Sequence, residues 1–164
     1  MRALTEAEIR ASFVNVDDAE RELIGMPHDL LLVDWDFHDF LAWRDPDAGR
    51  RGCVVVDTGD GPVGVVLRAT DSARVRTGMC NICHSMQPGN QVALFSARRA
   101  GLAGRRGDSV GTYICADLSC HENVRLAHPL APSEIRAAGQ ADMRLDGTRR
   151  RMESFVGRIQ SDEG

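Results

Sequence analysis

Apolar residues in the stretch LTEAEIRASFVN recur at helical spacing, with Leu4, Ile9, Phe13 and Val16 on one side. Thr5 and Glu8 supply a T-x-x-E capping box at its start, so the spacing predicts a helix here. DWDFHDFLAWRDP (34–46) sets Trp35, Phe37, Phe40, Leu41 and Trp43 among acids and reads as a short helix ended by Asp45-Pro46, its aromatics core or a cap over the core. The pattern then changes to β-branched runs. CVVVDTGDGPVGVVLRA (53–69) predicts a hairpin turning around Thr58-Gly59-Asp60-Gly61-Pro62, with Cys53 packed as a small apolar residue. QVALFSARR (91–99) and DSVGTYICA (108–116) predict a second strand pair. Their connection, AGLAGRRG (100–107), reads as a loop punctuated by Gly101, Gly104 and Gly107. SCHENVRLAH (119–128) predicts a short helix capped by Ser119 with Glu122 and stopped by Pro129. TRRRMESFVGRI (148–159) predicts an amphipathic helix with Met152, Phe155, Val156 and Ile159 on one face.

The order is helix, hairpin, cysteine pair, hairpin, cysteine pair, helix, which is an α+β plan. A chain of 164 residues suits one domain over 1–164, with helical segments and the first hairpin in 1–70, a metal-binding middle in 78–128 and a C-terminal helix in 129–164. The longest apolar runs are LLLV (30–33) and CVVV (53–56), too short to span a membrane, and the N-terminus lacks the apolar core of a signal peptide. A cytoplasmic protein is expected, in which paired cysteines point to metal or catalysis before disulfides.

All twenty basic residues are arginine. Residues 1–70 hold fourteen acids against seven arginines, residues 71–128 four against seven, and residues 129–164 six of each. A basic middle beside an acidic first part marks the middle as the interaction surface. The net charge of −4 argues against general nucleic-acid binding while allowing a local basic patch.

The chain has five cysteines, four of them in two pairs. Cys80 and Cys83 form C-x2-C, the spacing at which one tight turn presents two thiolates to one ion. Cys115 and Cys120 are five apart, about 140° round a continuous helix, which is too far to share a metal. The difficulty disappears if Cys115 ends a strand and Cys120 opens a helix, where free N–H groups favour a thiolate. A knuckle, a hairpin and a helix N-terminus supplying ligands is the treble-clef arrangement, and four thiolates select Zn²⁺. His84 and His121 adjoin these ligands and are the alternative donors. Cys80-Asn81-Ile82-Cys83-His84 also spells the haem attachment signature C-x-x-C-H, but haem leaves Cys115 and Cys120 unexplained. Thioredoxin-like chemistry fails because the pair does not open a helix after a buried parallel strand. No nucleophile elbow or phosphate-binding loop is present, and four sulfur ligands leave zinc no open position, so an enzyme is not expected.

The segments LTEAEIRASFVN, DFLAWRDP and MCNICHS…ALFSARRAGLAGRRGDSVGTYICADLSC resemble the FBP-domain family, elongation factor G-binding proteins related to the FusB-type fusidic acid resistance proteins. SVGTYICADLSC is the most specific part. The resemblance implies a zinc-stabilised module that binds elongation factor G and, in the resistance proteins, helps the drug-stalled factor leave the ribosome. It carries the zinc-ligand role to Cys80, Cys83, Cys115 and Cys120. The resistance proteins have a helical bundle ahead of the zinc finger, for which 164 residues leave no room, so the expectation is factor binding before drug resistance. The expected contact surface is the basic loop with Arg98, Arg99, Arg105 and Arg106, together with the exposed side of the metal site. The competing reading gives that same loop to RNA or the ribosome, a difference that salt dependence resolves.

Overall fold

Residues Arg51–Thr58 (β2) and Gly61–Ala69 (β3) pair over their whole length, from Arg51 opposite Arg68 to Thr58 opposite Gly61. The run CVVV is apolar at every position because both faces of β2 are covered, and Cys53 through Val56 are all buried. Successive side chains go to opposite faces. Cys53 and Val55 join Leu4, Ile9, Phe13, Ile24, Leu41 and Trp43 on one side. Val54 and Val56 join Phe40, Phe95, Met152, Phe155, Val156 and Ile159 on the other.

The computed structural model describes residues 1–70, 78–88, 90–126 and 140–161. Its main sheet is antiparallel, in the order β1-β2-β3-β6-β7, with β1 at Phe40–Arg44, β6 at Val92–Arg98 and β7 at Ser109–Cys115. Gly78–Met79 (β4) and Met86–Gln87 (β5) form a separate small ribbon. Helix α1, Glu6–Ser12, has the predicted capping box: Thr5 accepts from the Glu8 N–H and Glu8 accepts from the Thr5 N–H. Its C-terminal end meets β3 at Gly64, where a Cβ would lie 2.5 Å from the Ser12 hydroxyl. Helix α2, Asp18–Glu22, follows with a second capping box on Asp17 and Glu20.

Several expectations need correction. Residues 34–46 do not form a helix. A 3-10 turn at Trp35–Phe37 leads into β1, whose Phe40, Leu41 and Trp43 are buried when paired with β2. The aromatics do serve the core, apart from Phe37, which is exposed. The connection after β6 is not an open loop but a short helix, α3, Gly101–Arg105. A short helix, α4, does occupy Cys120–Asn123, yet Ser119 makes no side-chain cap and its hydroxyl donates to Asp117 at 2.6 Å. The predicted stop at Pro129 and residues 129–139 lie outside the described residues. The last helix, α5, runs Gln140–Gln160, longer than the predicted 148–159, and lays Met152, Phe155, Val156 and Ile159 on the sheet.

Candidate metal centre

Cys80 leaves β4 and enters a tight turn in which the His84 N–H donates to the Cys80 carbonyl at 2.9 Å. His84 takes a positive φ of 56°, which folds the chain back into β5. The Cys80 sulfur accepts from the N–H groups of Ile82 and Cys83, each at 3.4 Å. Cys115 ends β7, and Cys120 is the first residue of α4, the placement that reconciles their spacing. Between them Leu118, at a φ of +65° and fully buried, turns the chain from strand to helix.

The four Sγ atoms lie within 4.8 Å of one another and are all buried. Cys80 and Cys120 are 3.5 Å apart, and Cys83 and Cys115 are 3.6 Å apart. Zn–S bonds of about 2.3 Å in a tetrahedron require sulfur edges of about 3.8 Å, so the cradle fits zinc. Four thiolates around one divalent ion leave a formal charge of about −2, which N–H donors partly offset. The Asn123 amide adds one, donating to the Cys115 sulfur at 3.3 Å and to the Ser119 hydroxyl at 2.9 Å. Hydrogen bonds from Cys115 and then Cys120 hold the Cys80 thiol down, to about 7, and Cys83 lower still.

Neither histidine belongs to the cluster. His84 is exposed beside it. His121 stacks on His38 with ring centroids 4.2 Å apart, and burial, followed by the neighbouring His38, lowers its pKa to about 4. It stands beside the site as a neutral packing group, next to the Arg125–Asp39 ion pair at 3.2 Å. Cys53 packs in the sheet core, where desolvation pushes its thiol well up.

The four arginines of the predicted contact surface do not form one group. Arg98 pairs with Glu20 at 2.6 Å, tying β6 to α2, and Arg99 donates to the Ser161 hydroxyl at 2.8 Å. Arg105 and Arg106 are exposed, with no side-chain hydrogen bond or ion pair among the described residues. The metal does not brace them. Val92 opposes Cys115 at one end of the β6–β7 pair and Arg98 opposes Ser109 at the other, six residues or about 20 Å away.

Sequence reading missed the residues that do border the knuckle. Arg151 of α5 donates to the Ile82 carbonyl at 2.6 Å, inside the C-x2-C turn. Arg150 and Arg158 share that side of the helix, a stripe visible in the sequence once the helix is read for its charged face as well as its apolar one.

Among the described residues no helix is long and apolar enough to cross a membrane. No curated protein sequence matches the chain. The fold is similar to the structure of the fusidic acid resistance protein FusC, with a TM-score of 0.61 and 17% identity over 98% of this chain. The chain spans 60% of the length of FusC. Residues 8–159 match the FBP C-terminal treble-clef zinc-finger family, and with the sulfur cradle in place the chain belongs to that family as a zinc-binding member.

Proposed function

We propose that the protein is a non-catalytic, zinc-stabilised module that binds translation elongation factor G and affects its release from the ribosome. The observation that carries this reading is the closed shell of four buried sulfurs inside the family match, a site built to hold a fold and not to present water to a substrate. The likeness to FusC, a fusidic acid resistance protein, supports a role beside the translation factor. This chain covers 60% of FusC, so resistance is not carried over to it here.

Within the basic helix α3, Arg105 and Arg106 have no side-chain partner among the described residues, and Leu102 beside them is 54% exposed. An exposed apolar residue flanked by two unpaired guanidinium groups suits an acidic protein surface. Binding of the zinc-loaded full chain to purified elongation factor G is the test, measured at several salt concentrations. Arg105→Ser with Arg106→Ser is expected to slow association at low salt, with the difference shrinking as salt rises. Failure of the parent chain to bind the purified factor overturns the reading. Binding unchanged in the double variant moves the contact away from α3.

A further inference from the structure

Helix α5 has three sides at 100° per residue. One is the apolar face on the sheet, and a second carries Arg149 with its partners Asp146 and Glu153. The third carries Arg150, Arg151, Ser154 and Arg158 and faces the zinc knuckle across an open groove of about 370 Å³. Asn81 and Thr112 line the opposite wall. Among the described residues no carboxylate lines this groove. Arg151 is fixed by the Ile82 carbonyl at 2.6 Å and the Thr148 hydroxyl at 3.3 Å, and Arg158 lies over the Phe155 ring at 5.7 Å. Arg150 donates to the Asp146 carbonyl at 3.3 Å. None of the three arginines pairs with a carboxylate among the described residues, while Asp146 and Glu153 of the same helix are taken by Arg149.

We propose that this groove, between α5 and the Cys80–Cys83 knuckle, binds the phosphodiester backbone of RNA. Arg150 and Arg158 stand eight residues apart, about 12 Å along the helix, so the charge is spread as a track and not gathered on one point. A repeating polyanion matches a track. The hydrophobic side chains of the lining, Ile82 and Phe155, are 2% and 1% exposed, so the groove offers a protein partner no exposed hydrophobic side chain to anchor on. Guanidinium, amide and hydroxyl donors are what phosphate contacts use, with affinity drawn from counterion release. Among the described residues no exposed aromatic ring lines the groove, so bases are not stacked there and sequence is not read. The residues of this groove are distinct from Arg105 and Arg106, although the end of α5 reaches the start of α3, where the Ala100 N–H donates to the Ile159 carbonyl at 2.8 Å.

The test is fluorescence anisotropy of a labelled twelve-nucleotide oligouridylate with the zinc-loaded full chain, across 50 to 200 mM salt. Three single-strand phosphate contacts give a slope of log K against log salt of about −2, or a loss of affinity on the order of tenfold over that range. Arg150→Ser with Arg158→Ser is expected to cut the slope to about −0.7 and to weaken binding at low salt, with zinc content and melting temperature unchanged. Arg150→Lys with Arg158→Lys keeps the charges and is expected to keep the slope. Inorganic phosphate and oligoglutamate serve as competitors. Displacement of the RNA only at far higher concentrations of either supports the proposal. A site filled equally well by inorganic phosphate is a single-anion site, and one that prefers oligoglutamate is a protein-docking site; either result overturns the proposal. It is overturned as well if the parent does not bind the RNA, or if the serine variant binds with an unchanged slope.

Discussion

The Asn15 side chain joins Val66 to Arg98. Its oxygen accepts from the Val66 N–H at 2.8 Å, and its nitrogen donates to the carbonyls of Val66 at 2.9 Å and Arg98 at 3.0 Å. Strands β3 and β6 share only two residue pairs, Arg68 with Ser96 and Ala69 with Phe95. Where the strands part, one buried amide replaces the missing ladder and holds the first hairpin to the second.

Asn15→Ala removes three hydrogen bonds and leaves main-chain groups beneath it unpaired. An expected cost of about 3 kcal/mol corresponds to a fall in melting temperature of about 6–12 °C for a chain this size. A thermal melt decides it, and a fall of under about 2 °C means that water takes over the amide's partners.

Purified protein is expected to contain one zinc per chain and to show no Soret band, because the four sulfurs share one cradle. Cys83→Ser or Cys120→Ser removes a ligand and with it metal-coupled folding. Cys53→Ala only trims a packed side chain, at about 1–2 kcal/mol. Metal analysis and melts of the three variants test this. Equal destabilisation, with zinc retained in all three, contradicts the assignment.

Glu8 is expected to remain ionised well below the ordinary glutamate range. The Thr5 N–H, then Arg2, then the Thr5 hydroxyl lower its pKa from 4.5 to about 2. A depressed carboxyl stabilises the fold above its ordinary pKa, and that contribution disappears as pH falls through about 2. Following the side-chain carboxyl by NMR from pH 7 to 4 checks the sign. Titration of Glu8 together with the other surface glutamates means that the capping box does not persist in solution.

Gly104→Ala is expected to displace α3. A Cβ there would stand 1.8 Å from the Arg99 carbonyl oxygen, a main-chain atom that cannot swing aside. Relief requires the helix to move off the end of β6, at a cost of about 1–3 kcal/mol. Hydrogen exchange at Arg106 and Asp108, whose N–H groups bond within this turn, reads the change locally. Unchanged protection at both positions rules it out.

The two hairpins, the first capping box and the sulfur cradle were legible in the sequence because each rests on local chemistry. The pair Thr5 and Glu8 caps a helix through contacts three residues apart. The C-x2-C turn needs only its own backbone, and the C-x4-C spacing allowed one solution, a strand end followed by a helix start, which Cys115 and Cys120 adopt. Residues 40–44 were misread because their aromatic spacing satisfies a helix as well as a strand. Pairing with β2, which buries Phe40, Leu41 and Trp43, selects the strand.

Position in space was not available from the sequence. Arg98, Arg99, Arg105 and Arg106 follow the knuckle closely in the chain, yet the β6–β7 register sends them to the end opposite the metal. Arg150 and Arg151 are about seventy residues beyond the knuckle, and α5 docks them beside it, with Arg158 farther along the same groove. Composition, caps and ligand spacing therefore determined that the chain makes these elements and binds zinc. Only the packing of α5 and the extended rise of the second hairpin decided which charges stand at the zinc. A strand carries its ends about 3.3 Å farther apart with each residue, while helix docking brings distant segments into contact regardless of their separation in sequence.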